Sequence, residues 1–236
     1  MAAPTVSASV LELGGSASSD TTASFTVPSG GAVVCFVGNS DGTPQDVTSI
    51  TWSLGGGEAL SEVSNGDSGI VQSFVRGHWW KLDNPTAGSG TLTVNFASST
   101  FAYAIVGVAI ANPGTISAAV WANGNGSAND AQVTISSATN ALVLGGQYRL
   151  SDGATEAGGQ TLLQEGQGGG EGYVSVTSKA GAASVTSTWT PGSGTVSNWE
   201  YVAGAISIAE AGGGGGSSSI LLTPSFTRMF PALRHF

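Results

Sequence analysis

Apolar and polar residues alternate along most of this chain with a period of two, the spacing of a half-buried strand. Leu92, Val94 and Phe96 fall on one face, with Thr91, Thr93 and Asn95 opposite. Ile50 and Trp52 flank Thr51, while Val185, Ser187 and Trp189 alternate with Thr186 and Thr188. Three longer runs, 32–37, 101–110 and 202–208, are apolar at both parities. Such runs predict central strands covered on both faces. Between them lie PSGG (28–31), SDGTP (40–44), LGGG (54–57), SNGDSG (64–69), NPTAGSG (84–90), NGNG (123–126) and PGSG (191–194). These clusters supply residues that accept a positive φ or preset φ for a turn. The spacing predicts roughly a dozen strands in a sandwich or barrel, with no helix in the body. Residues 154–172 are polar and glycine-rich, with Leu162 and Leu163 as their large apolar residues, and predict one short strand between loops.

The two halves of the body echo each other. AVVCFVGNS (32–40) is similar to ALVLGGQYR (141–149), and a wide apolar strand closes each half, 101–110 and 199–208. Neither half shows an evident linker or a complete strand set of its own. The reading is therefore one antiparallel β-sandwich domain, 1–211, followed by a Gly/Ser linker, 212–219, and a C-terminal peptide, 220–236.

Composition sharpens this picture. Charged residues make up 9% of the chain, against roughly 25% in ordinary globular proteins, so the surface is largely neutral and rich in hydroxyls. All 15 acids precede the linker, together with four basic residues, Arg76, Lys81, Arg149 and Lys179. An acidic body argues against broad nucleic-acid binding. The single cysteine, Cys35, rules out a disulfide framework and reads as a small buried hydrophobe. No basic stretch followed by an apolar one marks the N-terminus. No segment approaches the roughly 18 apolar residues of a membrane span. The expectation is folding in a cytoplasm, with no membrane insertion.

The tail has a different character. Five glycines, 212–216, and three serines, 217–219, form a flexible tether. Beyond it, ILLTPSFTRMFPALRHF carries no acid and holds three of the eight Phe residues. A short apolar segment on a tether has no core of its own and must bind something. The expected contact residues are Ile220, Leu221, Leu222, Phe226, Met229, Phe230, Leu233 and Phe236, with Arg228 and Arg234 steering. Thr223 and Pro224 suit the start of a short helix, and Pro231 would interrupt it.

Candidate chemistry is sparse. His78 and His235 form no metal-ligand spacing, so no metal or cofactor is expected. A Ser-His-Asp triad would have to draw on His78 and Asp83, but no Gly-x-Ser-x-Gly elbow is present. Glu58 with Glu62, and Glu165 with Glu171, are the carboxylate pairs that a glycosidase would need; each lies in or beside a glycine-rich loop. Asp41, Asp46 and Asn39 supply oxygen ligands without the spacing of a calcium loop. Trp52, Trp189 and one of Trp79 or Trp80 are expected in the core, because adjacent strand residues face opposite ways. Trp121, beside Asn123 and Asn125, either caps the sandwich or offers a stacking platform for a sugar ring. No catalytic residue is expected.

Several features together resemble the jelly-roll-like β-sandwich modules of bacteriophage virion proteins and related bacterial surface proteins. They are the Trp52–Gly57 turn region, the aromatic strand ending in NPTAGSG (Trp79–Gly90), and WTPGSG from Trp189, followed by Trp199 and its closing strand. The resemblance spans roughly residues 5–209. It implies a jelly-roll-like sandwich serving as a non-enzymatic accessory protein on a capsid, head fibre or tail, assembled in the host cytoplasm. The partners implied are other virion proteins and further copies of the chain. The alternative it implies is a module that binds host-surface glycans; a polysaccharide-degrading enzyme is the third reading.

Overall fold

The computed structural model describes residues 2–40, 43–71, 74–124, 130–150, 153–157, 159–168, 172–191 and 200–212. The C-terminal peptide 220–236, nearly all of the linker, and Asp41, Asn125, Glu171 and Trp199 lie outside the described residues. The described chain is all-β, with 20 strands and no helix. The first half contains β1 (Thr5–Gly14), β2 (Ala17–Thr21), β3 (Phe25–Val27), β4 (Ala32–Ser40), β5 (Val47–Trp52), β6 (Glu58–Ala59), β7 (Ser61–Asp67), β8 (Val75–Asp83), β9 (Gly88–Gly90), β10 (Leu92–Thr100) and β11 (Ala102–Ala111). The second contains β12 (Pro113–Ile116), β13 (Val120–Gly124), β14 (Ala131–Ile135), β15 (Leu142–Leu150), β16 (Ala154–Ala157), β17 (Thr161–Gln167), β18 (Gly172–Ala180), β19 (Val185–Pro191) and β20 (Tyr201–Glu210). The polar stretch 154–172 thus contributes two strands and opens a third. Pairing with β19 and β18 satisfies its backbone, which its weak side-chain pattern did not announce.

The halves share one topology. Sheet order β1-β11-β4-β8-β7 in the first half is matched by β12-β20-β15-β18-β17 in the second, with β13 also on β20. The smaller sheet β2-β10-β5-β6 is matched by β14-β19-β16. Register repeats as well: Ala32 pairs with Ile110 and Asp83, as Leu142 pairs with Ile208 and Ala180. Ala32 and Leu142 both face the central layer, and Val33 and Val143 the small sheets, so residue 32 matches 142 in parity and not the 141 that the sequence echo suggests. A one-residue slip would turn every side chain to the wrong face.

Apart from a two-stranded sheet, β3-β9, the four sheets stack as layers. Val33, Cys35, Ile50, Trp52, Trp80, Leu92 and Val94 fill the space between the first large sheet and its small partner. Val133, Val143, Val185, Trp189 and Ala205 do the same in the second half. Between the two large sheets lies a third apolar layer, with Val34, Phe36, Trp79, Val106, Leu144, Tyr148, Val176 and Ile206. Both large sheets are covered twice, which explains the runs that are apolar at both parities. It also explains why Trp79 and Trp80 are both buried, on opposite faces of β8.

The central layer closes by a reciprocal fit. The Phe36 ring of β4 lies on Gly146 of β15, and the Tyr148 ring of β15 lies on Gly38 of β4. A Cβ on Gly146 would stand 2.8 Å from the Phe36 ring, so close approach of these strands requires glycine there. Tyr148 and Ser40 hydroxyls meet at 3.1 Å. Strands β4 and β15 therefore run the same way, and the stack has two distinct ends. Ser40, Val75, Ala102, Leu150 and Tyr201 mark the distal end. Ala32, Asp83, Leu142 and Glu210 mark the proximal end, from which the chain leaves at Gly212.

Candidate functional site at the distal end

The most polar cluster of the first half sits where β7 and β8 meet the start of β5. Parity places Arg76, His78 and Trp80 on the same face of β8, and a large bulge between Glu62 and Asp67 brings β7 back against His78. Arg76 donates through Nε to Asp67 Oδ1 at 2.9 Å and through Nη2 to Asp67 Oδ2. The same guanidinium lies 3.4 Å from Asp46. Asn39 holds the approach to β5 by donating to the Gln45 carbonyl (3.0 Å) and accepting from its amide (2.9 Å).

His78 is 1% exposed, with Nδ1 3.7 Å from Asp67 Oδ1. Burial lowers its pKa to about 4, only partly countered by Asp67, so the ring is neutral at pH 7. Partial burial pushes the Asp67 carboxyl up, but its bond from Arg76 and the neighbouring charges hold it below the ordinary range. Glu62 is raised by partial burial and then by the Asp67 and Asp46 charges. Asp46, Asp67 and His78 bring ligand atoms within 4.8 Å of one another, the one such grouping among the described residues. Arg76 already spans both carboxylates, so the cation of this cluster is the protein's own guanidinium.

The corresponding place in the second half holds a different set. Arg149, at the position matching Asn39, is buried and donates through Nε to Gln147 Oε1 at 2.8 Å. Burial lowers its pKa to about 10. Ser175 donates to Glu156 (2.8 Å), and Tyr173 donates to Glu165 (2.5 Å). Sequence reasoning passed over Arg149; its signal was a cation at the parity of Val143, facing the second small sheet.

The residues singled out from sequence are placed as follows. His78 pairs with Val37 and Asp83 with Ala32, five residues apart along one strand, about 16 Å, and Asp83 accepts from Lys81 Nζ at 2.7 Å. No triad forms from them. Glu58 accepts from Thr86 N (2.8 Å) and Thr86 Oγ1 (2.9 Å), clamping a turn in the small sheet. Glu62 lies on the large sheet. Trp121 on β13 is half-buried against the central layer, with its ring over Gly204 and against Gly77 and its Nε1 donating to the Asn65 carbonyl at 2.6 Å. Asn123, two residues on, pairs with Val202. No protein-family model, curated protein or solved structure matches the chain.

Proposed function

We propose that this chain is a non-enzymatic accessory protein of a phage-type particle, with a jelly-roll-like sandwich displayed outward and the C-terminal segment as its anchor. The observation that carries this reading is the exit of the chain at Gly212. The final described strand, β20, ends at the proximal end of a four-layered body with no helix among its described residues. There it passes into a glycine tether leading to an apolar, basic segment. A stiff module tethered by one end suits display in many copies, where avidity offsets weak individual contacts. The absence of catalysis is supported by how the strongest candidates are used: Glu58, Asp67 and Asp83 each accept bonds that hold a turn or a strand end. Deleting residues 213–236 in the producing genome and assaying gradient-purified particles for the protein tests the reading. Loss of the truncated protein from the particles is expected. Equal retention of both forms would sink the anchor.

A further inference from the structure

We infer that the C-terminal segment, residues 220–236, docks on the distal end of a second copy, so that copies join head to tail. This rests on the anchor reading and names what the anchor grips. Three large apolar residues are exposed together at the distal end: Ile70 (52%), Phe74 (45%) and Phe101 (58%). Phe74 directly precedes β8 and Phe101 directly precedes β11, and these strands flank β4 at Ser40. Two strand spacings put their backbones about 10 Å apart. Ile70 adjoins the Val71–Val75 bridge that leads into β8. Clustered apolar exposure of this kind marks a contact surface.

The surroundings are acidic. Asp67 lies three residues before Ile70, and Arg76, two residues after Phe74, is shared between Asp67 and Asp46. An apolar segment carrying Arg228 and Arg234 and no acid is complementary to this surface in both respects.

Reach favours a second copy over the same one. Nine-residue strands such as β4 and β15 separate the two ends by about 30 Å. The seven linker residues 213–219 span about 15 Å on average and about 25 Å at full extension. They leave Ile220 short of its own distal end, so the whole segment from Ile220 to Phe236 fits there only on another copy. A copy standing end to end presents its distal end next to Gly212. Such a contact is heterologous and does not close on itself in a pair, so it extends into a line of copies.

The test is asymmetric complementation by sedimentation velocity, with the full chain as reference. The full chain should form species heavier than a monomer that grow with concentration and weaken at high salt. The F74S/F101S variant lacks the receiving surface, and a chain ending at Gly212 lacks the segment; each alone should be monomeric. Mixed together, one still has a segment and the other still has a surface, so a one-to-one complex should appear. Circular dichroism matching the full chain shows that each variant is folded. A mixture that stays monomeric, or self-association of F74S/F101S equal to the full chain, overturns the inference. Loss of the truncated protein from particles alongside unaltered F74S/F101S self-association would leave the anchor reading standing and this inference refuted.

Discussion

The fit of Phe36 on Gly146 joins the two halves and predicts a change of sign in one substitution. A methyl added at Gly146 would stand 2.8, 2.9 and 3.0 Å from three atoms of the Phe36 ring. That ring is fully buried and packs on Trp79 at a centroid distance of 4.8 Å, so it has no room to swing aside. Gly146→Ala should therefore destabilise the protein by about 1–3 kcal/mol, the usual cost of overpacking a core. Phe36→Ala should cost about 3–5 kcal/mol through lost burial and the cavity left behind. In that background the Gly146 methyl enters vacated space, and alanine is favoured over glycine within a strand by roughly 0.5–1 kcal/mol. Gly146→Ala should then become neutral or stabilising, with a coupling between the sites of about 2 kcal/mol, typical of residues in contact. Urea denaturation of the four proteins, followed by tryptophan fluorescence, measures the cycle. Equal cost of Gly146→Ala in both backgrounds would refute the interlocking of the central layer.

Other expectations follow from single groups. His78 is neutral in the folded protein down to about pH 4, whereas in the unfolded chain it binds a proton near pH 6.5. The unfolded state thus takes up more protons in that window. Stability present above pH 6.5 should fall by about 3 kcal/mol towards pH 4, and His78→Gln should flatten that part of the profile in denaturation curves. Cys35 is fully buried, with its thiol pKa raised by burial, so a thiol reagent should label it only at the rate of unfolding; rapid native labelling would contradict the packing of β4. Trp121→Ala removes a half-buried ring and its bond to Asn65 and should lower stability by about 2–3 kcal/mol. Glycan-array binding by the native chain that disappears in this variant would favour the sugar-binding alternative.

The alternation at Ile50–Trp52, at Leu92–Phe96 and at Val185–Trp189 was readable because a half-buried strand writes its burial directly into parity. The runs at 32–37, 101–110 and 202–208 declared strands covered twice for the same reason. Local pattern could not say what covered them, since a side chain in the sequence has a parity but no partner. The second small sheet arises from pairings some 30–60 positions apart, and the central layer from contacts between residues about a hundred positions apart, such as Phe36 with Gly146 and Ser40 with Tyr148. Trp79 and Trp80 both found a core only because their sheet is interior. The same holds for the polar groups: Asp67, Arg76 and His78 are ordinary hairpin residues in sequence, and only the β7 bulge brings them together with Asp46. Composition by itself determined an acidic body and a basic, apolar tail. The tertiary structure decided where that body ends, because strand direction and stacking, not sequence order, place Gly212 at one end and Ile70, Phe74 and Phe101 at the other.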